Sequence, residues 1–252
     1  MPHDRLTHLQ RDRAESFGNV APDYDRYRPS YPARLIDDLV ALAPRAVLDV
    51  GCGTGKAARL FIDRGLPVLG VEVDPQMAAV ARTHGVDVEV SRFEDWDDAG
   101  RRFDLIICAQ AWHWVDPAVG ARKAARLLTD GGTLALFWNF SDLAAHDRQV
   151  IDSVYRRLAP ELIESPGAGD DQTHVRALRD AGVFSTVETV TYPGRRAWPV
   201  GDWVGNLGTQ SNHLLLGPQR LPELQRATHR ALVAACREVR LTGGTYTIWA
   251  RP

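Results

Sequence analysis

Ten consecutive residues, Val47-Leu48-Asp49-Val50-Gly51-Cys52-Gly53-Thr54-Gly55-Lys56, hold the most informative chemistry in the chain. Glycine at every second position lets a backbone turn sharply and lets a ligand approach with no Cβ in its way. Two familiar nucleotide loops fail here at single positions. A Walker A loop carries Ser or Thr after its lysine, to hold magnesium, and Ala57 stands there. A dinucleotide fingerprint spaces its glycines G-x-G-x-x-G, whereas these run G-x-G-x-G with Lys56 next. Asp49 precedes the loop. A second acid, Glu72, follows about 20 residues on, where a carboxylate can accept hydrogen bonds from both hydroxyls of a ribose. It interrupts the apolar Val71-Glu72-Val73, a costly place for an idle carboxylate. A ligand-free strand–turn–helix and a solvated strand-end acid are the plainer readings.

His113 is the other group suited to chemistry. It follows the apolar run Asp104–Ala109 and lies between Trp112 and Trp114. Catalytic residues of open α/β sheets collect at such strand ends, and imidazole exchanges protons near neutrality. A histidine packed between two tryptophans is the alternative. Nothing in the sequence places His146 or His213.

Elements must position these groups. Ala46–Val50 is an apolar run ending in glycines. Thr54–Arg64 follows with helical spacing at Ala57, Ala58, Leu60 and Phe61, stopped by Gly65. Val68–Val73 is the next apolar run. Asp74 and Pro75 then cap and open a helix that runs to His84 and ends at Gly85. Val86–Ser91, Asp104–Ala109 and Thr133–Trp138 read as strands, with a helix over Ala118–Leu128 and a turn at Gly131-Gly132. Mostly apolar runs separated by helices predict a parallel sheet covered on both faces, and right-handed crossovers make it doubly wound. The second half adds helices over Ala144–Leu158 and Gln172–Ala181, and strands over Val187–Tyr192 and Tyr246–Ala250. Pro199–Leu216 and Pro218–Val239 read as two helical segments. Ser165–Asp170 reads as a loop without a domain boundary, the late strands returning to the same sheet.

The 252 residues are 44% hydrophobic and 25% charged, with a formal net charge of −2. This suits one large α/β domain and excludes a disordered chain. It also argues against a partner bound through excess cations, such as nucleic acid or an anionic membrane. No run approaches the about 18 apolar residues of a membrane span, and Met1–Arg13 lacks the pattern of a secretory signal. Cys52, Cys108 and Cys236 are too far apart for a disulfide framework or a cysteine-cluster zinc site. Buried free thiols in a reducing cytoplasm, and no metal, are expected; the sequence leaves the oligomeric state open.

Residues 47–55 and Gly70-Val71-Glu72-Val73-Asp74-Pro75-Gln76-Met77 resemble the first two motifs of class I methyltransferases. Phe103–Trp114 resembles the fourth-strand motif of the methyltransferase-11 type. With His-Trp after the strand, it is most similar to the small-molecule branch that includes trans-aconitate methyltransferase. Leu127–Leu136 resembles the Leu-x-x-Gly-Gly turn before strand five. Tyr24-Asp25-Arg26-Tyr27-Arg28-Pro29-Ser30-Tyr31-Pro32 is also similar to that branch. The likeness covers residues 17–140 well and the tail loosely.

The resemblance implies an α/β, Rossmann-like methyltransferase fold: a doubly wound, mostly parallel seven-stranded sheet with a helical cap. Residues 1–252 would form one domain: a helical cover (1–45), a cofactor-binding core (46–140), and a remainder (141–252) that completes the sheet and carries a lid near 194–239. It implies S-adenosylmethionine as cofactor, with S-adenosylhomocysteine as product. Asp49, Gly51, Gly53 and Gly55 would face the methionine part, and Glu72 the ribose. Val73 and Met77 would line the adenine, with the backbone of Phe93 and the side chain of Glu94 at its edge. Gln110 would lie near the sulfonium. Tyr24 and Arg28 would close over the site, Arg28 able to pair with the methionine carboxylate. Arg92 departs from the pattern, since many relatives carry a small or acidic residue there.

The implied reaction is methyl transfer to an oxygen or other nucleophilic atom of a small molecule, carboxylates included. A carboxylate needs no base; an alcohol or phenol does, and His113 is the candidate. Trp112, Trp114 and Trp138 either build an acceptor pocket or pack in the core. No Asn/Asp-Pro-Pro-Tyr/Phe follows the fourth strand, and neither a Pro-Cys nucleophile nor a basic stripe is present, which disfavours nucleic acid as partner. A cofactor-binding regulatory protein without turnover, and a nicotinamide-dependent oxidoreductase, are the competing readings.

Overall fold

The computed structural model describes residues 17–163 and 171–252. The readings for Met1–Arg13 and Ser165–Asp170 lie outside the described residues. Among those described, β1 (Val47–Val50), β2 (Val68–Glu72), β3 (Asp87–Val90), β4 (Phe103–Ala109), β5 (Leu128–Leu143), β6 (Thr186–Pro199) and β7 (Glu238–Arg251) form one sheet in the order 3-2-1-4-5-7-6. Strand β7 is antiparallel to both neighbours, and the other pairings are parallel.

The period of two along each strand splits the core between the two faces of the sheet. Leu48, Val50, Ile106, Leu134 and Leu136 bury one face against helices α5 (Pro117–Leu127) and α7 (Asp171–Asp180). Val47, Leu105, Ile107, Ala135 and Phe137 bury the other against α2 (Ala33–Val40), α3 (Ala58–Ile62) and α4 (Pro75–Thr83). The helix starts follow their sequences. Asp74 caps α4 by accepting from the amides of Gln76 and Met77, and Asp116 caps α5 from Ala118 and Val119, each followed by proline.

A third apolar cluster makes a cap. It joins Ile151, Val154 and Tyr155 of α6 (Ala145–Leu158), Trp203, Val204 and Leu207 of α8 (Val200–Leu207), and Leu224, Ala227 and Leu232 of α10 (Gly217–Ala235). Strand β5 leaves β4 at the Ala109↔Phe137 pair and continues to Leu143 alongside β7, while β6 and β7 stay paired as far as Pro199↔Glu238. These extensions carry the cap past the carboxyl edge of the parallel strands.

The late strands thus run well beyond the apolar runs at 133–138, 187–192 and 246–250. Their extra residues lack a regular apolar period, and ladder hydrogen bonds, with the packing of Leu143, Trp198, Val239 and Leu241 against the cap, keep them extended. The lid helices accordingly begin at Val200, not near 194. The Gly131-Gly132 turn lies inside β5: the ladder with β4 jumps from Phe103↔Leu128 to Leu105↔Thr133, looping out the residues between. The first crossover helix starts at Ala58 instead of Thr54, because the glycine loop occupies the preceding turns. Cys52 and Cys108 are buried free thiols, whereas Cys236 is only partly buried. No helix among the described residues is long and apolar enough to cross a membrane.

Candidate active site

Strand β1 leads outward through β2 to β3, while β4 leads the other way to β5. The crevice between their carboxyl ends is where open α/β sheets take ligands. There the loop after β1 turns through Gly51, Gly53 and Gly55 at φ of +66°, +56° and +80°. A Cβ on Gly51 would stand 2.6 Å from that of Ala111, and one on Gly55 would stand 2.9 Å from Val86. The alternate glycines are therefore required by the backbone itself. The amides of Gly51 and Cys52 donate to the Val71 carbonyl at 2.8 and 3.2 Å, stitching the loop to β2.

Glu72, 7% exposed, completes that stitching. Its Oε2 accepts from the Gly53 amide at 2.8 Å and its Oε1 from the Asp74 amide at 2.9 Å. Burial pushes its pKa up and the two amides oppose that rise. Each oxygen keeps a further lone pair for a ligand hydroxyl.

Asp49 is fully buried at the end of β1, and neither carboxylate oxygen meets a hydrogen-bond partner at normal geometry. Burial, then the charge of Glu72, holds its pKa well above the usual range; the Ala58 amide lowers it only in part. A buried acid left so costs about 1–3 kcal/mol unless something else uses it. Because the folded pKa is the higher one, the unfolded chain ionises first and stability falls as pH rises above the ordinary carboxylate range. Asp49→Asn is therefore expected to raise the melting temperature of the ligand-free protein at neutral pH by a few degrees. The same change is expected to weaken S-adenosylhomocysteine binding roughly tenfold, through the loop that Asp49 supports from behind. Thermal unfolding and calorimetry check both signs; a lower melting temperature with unchanged binding contradicts this account of Asp49.

The crevice encloses about 420 Å³, part of it open to solvent. Tyr24, Arg28, Pro29 and Tyr31 line it from the N-terminal segment, Gly51–Thr54, Lys56 and Ala57 from the loop, and Ala109 and Gln110 from β4. Gln110 stands at φ +61°, a strained conformation for a side chain with a Cβ, and its amide donates to the Phe137 carbonyl at 2.9 Å. Arg28 donates through Nη2 to the Thr209 carbonyl at 2.6 Å and lies over the Tyr24 ring, while its buried Nε has no partner. Burial lifts the Tyr31 phenol pKa well above its ordinary value.

Of the residues expected from sequence, Tyr24, Arg28, Gly51, Gly53 and Gln110 meet at this crevice. Gly55 turns the loop, and Asp49 and Glu72 support it from behind. Val73 is half-buried and Met77 buried, its Cε 3.4 Å from where a Gly53 Cβ would be. Phe93 packs in the core against Trp112, and the Glu94 carboxylate is engaged by the Asp116 amide at 2.8 Å and by Arg92 at 3.5 Å. His113 lies in the 3₁₀ turn Trp112–Trp114 just beyond Gln110, its ring 4.7 Å from that of Trp114. Trp112 is 1% exposed against Gly120 and belongs to the core, not to an acceptor pocket. Trp138 is half-buried and stacks on His174.

Sequence reasoning missed Tyr31 and Lys56 as lining residues, although both stand within runs it singled out. It also left His213 unplaced. His213 is buried in the cap with Nε2 2.8 Å from the Tyr155 hydroxyl and Nδ1 2.9 Å from Asn212 Oδ1. His146 is exposed on α6.

The strand order, the lone antiparallel strand and the glycine loop after β1 define the class I methyltransferase fold. Residues 48–136 match the methyltransferase domain family of type 11. An uncharacterised methyltransferase of Mycobacterium tuberculosis is 41% identical over 142 residues, which are 54% of this chain and 57% of that protein. The chain thus matches little more than half the length of that relative. A solved chain from Anaeromyxobacter dehalogenans assigned to the type II methyltransferases is 24% identical with a TM-score of 0.64, covering 89% of this chain and 98% of that one. Phosphoethanolamine N-methyltransferase 2 of Haemonchus contortus, solved with phosphomonomethylethanolamine and S-adenosylhomocysteine, is 16% identical with a TM-score of 0.55 over 96% of this chain and 59% of its own. Residues 48–136 are thus similar to a methyltransferase domain, whose cofactor is S-adenosylmethionine, and the chain has the Rossmann-like fold of such enzymes. The orphaned Asp49 oxygens, the glycine-cleared crevice and the unpartnered Nε of Arg28 fit that cofactor.

Proposed function

We propose that the chain is an enzyme that transfers a methyl group from S-adenosylmethionine to an oxygen of a small-molecule acceptor. The observation that carries this reading is the crevice at the strand switch, with the buried Glu72 carboxylate behind its glycine loop and Arg28, whose Nε is unpartnered, among its lining residues. S-adenosylmethionine supplies an already activated methyl group, so the chain has chiefly to align the reactants and exclude water. Glu72 accepts from the ribose hydroxyls with its remaining lone pairs. Val73 and Met77 flank the adenine, with the Phe93 backbone and Glu94 at its edge. Arg28 donates to the methionine carboxylate beneath Tyr24, Asp49 supports that end of the loop, and Gln110 lies by the sulfonium.

His113 takes the proton of a hydroxyl acceptor. With such an acceptor, found by screening metabolites for S-adenosylhomocysteine formation, His113→Ala is expected to lower kcat about 100-fold or more. Unchanged turnover removes the base role from His113. Cofactor binding without product from any extract would favour a regulatory protein instead.

A further inference from the structure

The segment Phe17–Arg28, with helix α1 (Ala21–Tyr27) inside it, gives the crevice two of its lining residues, Tyr24 and Arg28. At one end Gly18 sits so close to the Asp74 carboxylate that a Cβ would come within 2.5 Å of it. At the other, Tyr27 lies against Gly205 of α8, where a Cβ would stand 2.7 Å from the ring, and Arg28 reaches the Thr209 carbonyl. Helix α1 itself has little to hold it there. It has seven residues, no side-chain cap, and only Ala21 buried. A helix that short is unstable alone, and few buried apolar contacts mean easy local opening.

What holds it is polar and centres on Asp25. The Asp25 carboxylate takes Arg59 of α3 at 3.1 Å and His84, just past α4, at 2.9 Å. Its backbone carbonyl, in the last turn of α1 where helix carbonyls lack partners, accepts from the Lys56 ammonium. Burial alone would raise the Asp25 pKa, but the His84 hydrogen bond and the Arg59 charge outweigh it and hold the carboxyl below its usual value. Lys56 is also a lining residue of the crevice. The lysine that matches no phosphate-loop pattern thus has a use: it ties the glycine loop to the helix that covers it.

We propose that Asp25 is a positioning residue. Through Lys56, Arg59 and His84 it latches α1 onto the glycine loop, so that Tyr24 and Arg28 stay over the crevice and the bound cofactor leaves slowly. This rests on the methyltransferase reading only for the identity of that ligand. Amide hydrogen exchange on the ligand-free full chain judges the latch by itself. In Asp25→Ala, exchange over residues 18–28 is expected to quicken roughly tenfold or more while β1 and β4 stay as in the wild type. Arg59→Gln, which leaves α1 untouched, is expected to act in the same direction by a smaller factor, and Asp25→Glu to restore part of the protection. With S-adenosylhomocysteine as probe, dissociation from Asp25→Ala is expected to be at least about tenfold faster, the association rate changing less. Unchanged protection over 18–28, or a dissociation rate within about twofold of wild type, overturns the latch. Failure of the wild type to bind S-adenosylhomocysteine overturns the cofactor reading, and the ligand-free exchange still decides on Asp25.

Discussion

Glu72→Ala is expected to abolish measurable S-adenosylhomocysteine binding and to destabilise the ligand-free protein as well. The side chain holds two backbone amides, the half-buried one of Gly53 and the buried one of Asp74, at 2.8 and 2.9 Å. Hydrogen bonds to a charged group are worth about 1.5–3 kcal/mol each, and their loss leaves both amides unpaired. A stability loss of about 3 kcal/mol follows, together with a loop no longer fixed to β2. The affinity loss adds the missing ribose contacts to that distortion and exceeds about 100-fold. Glu72→Gln does not rescue, because its amide nitrogen would face one of the two N–H groups with a donor. Denaturant unfolding and calorimetry read the two effects separately. Binding of Glu72→Ala within about fivefold of wild type would remove Glu72 from the cofactor site.

The second large effect lies in the cap and depends on pH. Burial, then the nearby Arg28 charge, brings the His213 pKa down to about 4. The ordinary value of about 6.5 applies to the unfolded chain. As pH falls through 6.5 the unfolded chain takes up a proton that the folded cap refuses until about pH 4. Stability is therefore whole above the unfolded pKa and drains away between the two values, by about 2 kcal/mol at pH 5 and about 3 kcal/mol in all. His213→Gln is expected to flatten that slope while costing some stability at neutral pH through loss of the Tyr155 contact. Chemical denaturation of both proteins at a series of pH values between 4 and 7.5 measures it. Equal slopes would mean that His213 does not stay neutral in the fold.

The core of the fold was readable from residues because its strands are apolar runs and its turns are glycines. Val47–Val50 could be nothing but a buried strand, and Asp74-Pro75 wrote its own helix start. The long ends of β5, β6 and β7 were not readable. Residues such as Gly194, Arg195 and Arg196 carry no apolar period, and only pairing with a distant strand makes them extended. The site divides in the same way. Local signals pointed to the glycine loop and Glu72, and the family resemblance to Gln110. What Glu72 does first, holding the amides of Gly53 and Asp74, is a matter of geometry that spacing does not encode. Lys56, Asp25 and His213 acquire meaning only from partners 31, 59 and 58 residues away. For Trp112 the sequence left a pocket wall and the core both open, and the room left by Gly120 decides for the core.

The most direct test of the central claim is a calorimetric titration of the wild-type protein with S-adenosylhomocysteine, run beside NAD. The account predicts saturable binding of S-adenosylhomocysteine at one site per chain, abolished by Glu72→Ala, and no binding of NAD. Saturable binding of NAD with none of S-adenosylhomocysteine would contradict it.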